Sequence, residues 1–304
     1  MPALVLEDVP DSLGRWPGSK RWLPALHAKR LPSPSQRGRF FEPCAGAAAL
    51  SIHYARNGHR IVLGDTNPRL IGVYRHLLAD ARAVAAELAA IVARHDAAED
   101  KKAFYFEQRA AWNGTDVESV ASAAGFLFVM NAGFNGVTRF NRGGGCNTPY
   151  GEPEPGKDLV RTAELVALGA LLRKARAEVV CGDFEVTVAP ARRGDFVYFD
   201  PPYVRPSKKK GRADDAPAPK RGESGAGFVG YSANGFTLAD RKRLGIVLRD
   251  LDRRGVRWML SDISAEHALE VYGLWSVVEV DVKRSVAAKG DARGRAREVI
   301  VTNF

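Results

Sequence analysis

An apolar run, Phe196-Val197-Tyr198-Phe199, stops abruptly in Asp200-Pro201-Pro202-Tyr203, and this step constrains the fold more than any other in the chain. Four large apolar residues in a row describe a buried β-strand. The prolines fix the backbone and offer no N–H donor of their own. That leaves the aspartate side chain and the carbonyl after it as acceptors, beside an aromatic face. Such a corner suits a planar amino group with two N–H bonds to hold, as on a nucleobase. A strand that merely ends in a Pro-Pro turn, with its acid solvated, reads the same way in four residues, so the rest of the chain must decide.

Arg39-Phe40-Phe41-Glu42-Pro43 leads through Cys44-Ala45-Gly46-Ala47-Ala48-Ala49-Leu50, a strand followed by a small-residue turn and a helix start. A second strand, Arg60 to Gly64, closes on Asp65. Strand, turn, helix, strand and acid follow Rossmann-like logic, in which the turn admits a ligand and the acid holds ribose hydroxyls. Only Gly46 stands in the turn, so a nucleoside without a pyrophosphate fits better than a dinucleotide. Residues 72–171 read as mainly helical, with Leu77, Leu78, Val84, Leu88, Ile91 and Val92 at near-helical spacing. This stretch separates the first two strands from the later ones and is expected to form an inserted lobe. It ends in a loop rich in Gly, Asn and Arg, from Asn131 to Gly145, of a kind that enters a DNA groove or simply crosses a surface.

Strands resume at Glu178 to Cys181, before Gly182-Asp183-Phe184, and at Phe196. Pro206 to Gly227 holds six Lys or Arg, three acids and three prolines and reads as a flexible loop. A helix over Leu238 to Leu251, a strand over Arg257 to Leu260 and a short helix over Ala265 to Tyr272 follow. The chain closes with Ser276 to Val282 and Arg297 to Thr302, paired as a hairpin across a basic turn. The pattern specifies an α/β sheet, mostly parallel, with antiparallel strands at one edge.

The 304 residues are 45% hydrophobic and 26% charged, as in globular proteins. No apolar run approaches ~20 residues, so no membrane span is expected. Met1 to Pro10 carries Glu7 and Asp8 and has no basic stretch of a secretory signal. Cys44, Cys146 and Cys181 lie far apart without metal-ligand spacing, which points to no metal, no disulfide framework and a reducing cytoplasm. A net charge of +10 favours a polyanionic partner.

Taken in order, these motifs resemble the Dam-type DNA adenine-N6 methyltransferases, of the alpha class of amino-methyltransferases. Trp16-Pro17-Gly18-Ser19-Lys20 is similar to that family's Trp-x-Gly-Gly-Lys, with Ser19 replacing a glycine. Phe41 to Ala47 resembles its cofactor turn and Asp65-Thr66-Asn67-Pro68-Arg69-Leu70 its Asp-x-Asn-x-x-Leu segment. Asn135-Gly136, Arg139-Phe140-Asn141 and Asn147-Thr148-Pro149-Tyr150-Gly151 resemble its DNA-reading loop. Gly182-Asp183-Phe184 and Asp-Pro-Pro-Tyr complete the set, with weaker echoes at Phe228 to Thr237 and Ser261-Asp262.

The resemblance implies a Rossmann-like, S-adenosylmethionine-dependent methyltransferase sheet formed by 1–71 and 172–304, with 72–171 as an inserted helical target-recognition lobe. S-adenosyl-L-methionine is the implied cofactor. Its implied site comprises Trp16, Lys20 on the methionine carboxylate, the Glu42-Pro43-Cys44-Ala45-Gly46 turn, Asp65 on the ribose, Asp183 with Phe184 at the adenine, and Asp200. The implied reaction takes place on an adenine flipped out of double-stranded DNA. Asp200 and the Pro201 carbonyl hold its amine, Pro202 stiffens the corner and Tyr203 stacks on the ring, for direct in-line transfer. Cys44 lies inside the turn and reads as a packing residue, not a nucleophile.

By the same resemblance Arg139 pairs with a guanine edge, Arg15 reads a first guanine, Phe134 wedges into the gap, Val137 and Pro149 touch thymine methyls, and Arg142 meets phosphate. Asn135 and Asn141 belong to the same reading loop. The implied site is GATC, acted on by a monomer in the cytoplasm on nucleoid or viral DNA. Methylation of RNA or of cytosine-N4 is the alternative enzyme reading, and a DNA-binding pseudoenzyme the alternative of another class.

Overall fold

The computed structural model describes residues 6–14, 16, 18–27, 31–35, 37–136, 138–141, 144–203, 236–262, 269, 271–283 and 295–304. The expected loop over 206–227, the basic turn of the final hairpin and most of the helix expected over 265–272 lie outside these residues.

Seven strands form one sheet: β1 (Arg39–Glu42), β2 (Arg60–Asp65), β3 (Glu178–Cys181), β4 (Phe196–Phe199), β5 (Arg257–Asp262), β6 (Ser276–Lys283) and β7 (Arg295–Thr302). Their order is β3-β2-β1-β4-β5-β7-β6. The five from β3 to β5 run parallel, whereas β7 is antiparallel to both β5 and β6. The expected antiparallel edge is therefore present, with the last strand threaded inside the one before it. From β1 the chain moves outward to β2 and β3, and from β4 it moves the other way to β5. The order reverses between β1 and β4, and in open α/β sheets that crevice at the strand ends is where ligands bind.

Both faces of the sheet are covered, which explains the unbroken apolar runs. In β4, Phe196 and Tyr198 join one core, and Val197 and Phe199 the other. The first core continues through α2 (Ala49–Arg56), α3 (Pro68–Ala97), α5 (Val120–Ala132) and α6 (Thr162–Lys174). The second is built against α7 (Phe184–Val188) and α8 (Leu238–Arg253) through Phe184, Val188, Leu244 and Leu248. Among the described residues the remaining helices are α1 (Trp22–His27) and α4 (Lys101–Asn113).

Between β2 and β3 the chain passes through α3 to α6. Asn67 caps α3 by accepting from the Arg69 and Leu70 amides, and Pro68 follows at a position where its missing N–H costs nothing. The helix breaks at Asp80 (φ −149°, ψ 88°), whose carboxylate accepts from the Arg82 and Ala83 amides and so caps the second half. Helix α5 is apolar on every side, as a helix wrapped by others must be, and it packs on α3 and α4.

Helices α3 and α6 pack closely at Gly169, where an added Cβ would stand 2.4 Å from the Leu77 carbonyl oxygen and 2.7 Å from the Ala81 Cβ. A Gly169→Ala chain is expected to lose about 1–3 kcal/mol of stability by overpacking. Urea unfolding followed by circular dichroism measures this, and an unchanged midpoint contradicts the close approach.

Candidate active site and DNA-reading ribbon

The turn after β1 sits at the crevice. Gly46 has φ +47°, and an added Cβ would lie 2.6 Å from the Trp16 indole nitrogen, so both backbone conformation and space call for glycine. Its N–H donates to Asp65 Oδ2 (3.1 Å), and its carbonyl accepts from the Tyr74 hydroxyl (2.7 Å). The other Asp65 oxygen accepts from the Asn67 amide (2.9 Å). Ala45 donates to the Gly64 carbonyl (2.8 Å), and Pro43 is buried. The turn is thus tied to β2 by main chain and to α3 by Tyr74, a residue that sequence reasoning missed.

Glu42, at the end of β1, is buried and holds the first turn of α2. Its Oε2 accepts from the Ser51 amide (2.8 Å) and hydroxyl (2.6 Å). Burial raises its pKa to about 8, against the opposing pull of the Ser51 bonds and with a smaller push from Asp200.

Across the crevice, β4 ends at Phe199 and leads directly into Asp200. The Lys20 ammonium lies 2.8 Å from Asp200 Oδ1 and 2.9 Å from Oδ2, donates to the Gly18 carbonyl (2.8 Å) and sits 5.0 Å above the Tyr203 ring. The same nitrogen is 3.7 Å from Glu298 Oε2, which also accepts from the Tyr203 hydroxyl (3.2 Å). Burial pushes the Asp200 carboxyl up, the Lys20 ammonium draws it back down, and Glu298 adds to the rise. Pro201 is buried, and Pro202 is half-buried beside it. Glu298 was not singled out from the sequence. Its one signal is phase: in β7 it shares a side with Ile300, which belongs to the first core.

Asp183 caps α7 by accepting from the Glu185 amide (3.0 Å), and its second oxygen takes 2.7 Å from the Arg243 guanidinium. That guanidinium also lies 4.8 Å above the buried Phe184 ring. Arg243 is another residue the sequence did not single out. Cys44 is half-buried, and its thiol is held well above the usual range by burial, then by Asp65, Asp200, Asp183 and Glu42. Asp65, Asp200, Asp183 and Glu42 thus all act on this thiol. The Ser19 hydroxyl is buried with no hydrogen-bond partner among the described residues.

The described residues expected to read DNA fall on a small antiparallel ribbon. Phe140 bridges Cys146, Gly133 bridges Tyr150, the Asn141 amide donates to the Gly145 carbonyl while Asn141 Oδ1 accepts from the Gly145 amide, and the Arg139 carbonyl accepts from the Asn147 amide. Phe134, Asn135, Asn141 and Pro149 are exposed along it, and Arg139 is half-buried with its amide on Thr148 Oγ1 (2.8 Å). Arg15, Val137 and Arg142 lie outside the described residues. Helix α4 grips the ribbon from behind. Asn113 donates to the Cys146 carbonyl (3.0 Å) and accepts from its amide (2.8 Å), while Tyr105 (3.1 Å) and Arg109 both donate to the Thr148 carbonyl. These three residues escaped the sequence reading because their periodicity marked them only as helical.

A crevice of this kind in a sheet of this order defines a Rossmann-like methyltransferase fold. The chain belongs to the D12 class of N6 adenine-specific DNA methyltransferases, whose pattern residues 16–214 match. It is 30% identical over 293 residues to the type II methyltransferase M1.LlaDCHI of Lactococcus lactis subsp. cremoris, covering 95% of this chain and 94% of that protein. Identity to a DNA adenine methylase of Vibrio cholerae serotype O1 is 27% over 291 residues, 94% of this chain and 93% of the relative. A DNA N-6-adenine-methyltransferase of Escherichia phage P1 is 30% identical over 295 residues, covering 95% of this chain and 35% of that longer protein. Among the described residues no helix is long and apolar enough to cross a membrane, and no group of three His, Cys, Asp or Glu is arranged to hold a metal.

The raised pKa of Glu42 carries a testable pH dependence. Unfolded, the carboxyl ionises near its ordinary 4.5, whereas folded it holds its proton to about 8. Its contribution to stability is therefore complete below the unfolded value and is lost as pH rises through the folded one. A Glu42→Gln chain keeps an acceptor for Ser51 and is neutral throughout. Its urea stability should fall less steeply over that window, by about 1.4 kcal/mol per pH unit at most. Parallel profiles for the two chains would refute the buried, protonated carboxyl.

Proposed function

We propose that this chain transfers a methyl group from S-adenosylmethionine to N6 of an adenine flipped from double-stranded DNA, within GATC, acting as a monomer. The observation that carries this reading is the pairing of β1 with β4, which sets the Gly46 turn and Asp200 on the two sides of one crevice. The acidic surroundings of Cys44 and the cation at Lys20 fit a ligand that carries a sulfonium, ribose hydroxyls and a carboxylate. Lys20 would hold the carboxylate, Asp65 the ribose, and Asp183 with Phe184 the adenine, over the Glu42-to-Gly46 turn packed on Trp16. When bound, the cofactor supplies an electrophilic methyl group.

The chain supplies position and charge. Asp200 and the Pro201 carbonyl each accept one N–H of the target amine, which aims its lone pair. Tyr203 gives the ring a face to stack on, and that stacking helps offset the few kcal/mol needed to unstack the base. No covalent intermediate with the protein is required. In the ribbon, Arg139 reads a guanine edge, Phe134 enters the gap left by the base, and Pro149 meets a thymine methyl. Residues 72–171 act as the recognition lobe.

Transfer of labelled methyl to unmethylated DNA, followed by digestion with enzymes sensitive to GATC methylation, tests the proposal. Labelled N6-methyladenine with GATC protection is expected. Label without protection rejects the site alone, and label on RNA only rejects the substrate. Asp200→Ala should slow transfer by about 10²-fold or more while cofactor binding persists; unaltered rates would remove the amine grip. Arg139→Ala should relax discrimination at one guanine by about 1–3 kcal/mol, measured by competition between duplexes that differ at one base pair. An unchanged preference would remove that contact.

A further inference from the structure

We infer that Glu298 is a positioning residue for methyl transfer, holding the Tyr203 hydroxyl and sharing the Lys20 ammonium with Asp200. The inference rests on the function proposed above. Glu298 lies on β7, 95 residues beyond Tyr203, yet its carboxylate ends against both Tyr203 and Lys20. Its side chain is 9% exposed and that of Lys20 is 2% exposed. A carboxylate so enclosed is costly unless paired and hydrogen-bonded, and a valine would serve the strand better if packing were its only task.

Two consequences follow from the geometry. The Tyr203 ring is fixed at one end by the backbone after Pro201-Pro202 and at the other by its O–H bond to Glu298. That defines the plane on which a base stacks. The Lys20 ammonium stands among two carboxylates and one carbonyl, closer to Asp200 than to Glu298. With Glu298 present, Lys20 retains an acidic neighbour when Asp200 accepts bonds from the target amine. Without it, Asp200 is the carboxylate of the described residues that remains on Lys20, and the ammonium competes more strongly with the amine for the same oxygens. Loss of Glu298 should therefore lower the transfer rate more than it weakens cofactor binding.

The test uses the full chain with Glu298→Ala, Glu298→Gln and Tyr203→Phe, and the Glu298→Ala/Tyr203→Phe double variant, in single-turnover transfer to duplex DNA. Glu298→Ala is expected to slow transfer about tenfold, with cofactor affinity changed less than about twofold. Gln, which still accepts the Tyr203 O–H, should restore part of the rate. Tyr203→Phe should also slow transfer, and the double variant should lose much less than the product of the two single losses.

A Glu298→Ala rate within about twofold of the native one, or losses that simply multiply, would overturn the inference. If Glu298→Ala does not fold, Glu298→Gln and Tyr203→Phe still decide, because native rates in both overturn it equally. A native chain that methylates no DNA rejects the underlying function, whereas an active native chain with indifferent variants rejects only the role of Glu298.

Discussion

The parallel pairing of β1 with β4, in register at Phe40 with Phe196 and Phe41 with Val197, is the constraint on which the rest depends. Those residues are buried in alternate cores, so the pairing cannot slip by one position without turning apolar side chains to the wrong face. The register brings the ends of two strands level. One continues into a turn that only a glycine can complete against Trp16, the other into an acid and two prolines. Neither segment forms a site alone. Adjacent, they form the two sides of a crevice, and β2 adds Asp65 from the next position in the sheet.

Charge within the crevice is uneven. Carboxyl groups from four separate points in the chain act on the Cys44 thiol, and a fifth, Glu298, joins Asp200 around Lys20. Such crowding opposes folding unless protons or cations relieve it. Glu42 is relieved by holding a proton, Asp200 by Lys20, and Asp183 by Arg243. Lys20 and Arg243 thus neutralise part of the acidity that the fold gathers here.

Much of this was legible in the sequence, for definite reasons. Strand β4 could be read because four apolar residues between polar ones have few other uses, and the strand-turn-strand unit because Gly46 and Asp65 punctuate it. The final hairpin showed its alternation, although its threading of β7 beside β5 did not, since sheet order leaves no mark on local pattern. The Asp200-Pro201-Pro202-Tyr203 segment could be singled out because it is contiguous. Glu298 and Arg243 were not, because each reaches its partner across tens of residues through the fold. Tyr105, Arg109 and Asn113 were hidden for a different cause: side chains that bind main chain carry no partner motif to find.

That last arrangement bears on how such a protein changes its target. Helix α4 holds the ribbon by the carbonyls of Cys146 and Thr148 and the amide of Cys146, groups every residue possesses. The outward side chains at Phe134, Asn135, Asn141 and Pro149 have little part in that grip. They are open to replacement while the support endures, so, if the ribbon reads DNA as proposed, a lineage can acquire a new recognition sequence by exchanging the letters of the ribbon and leaving its support intact.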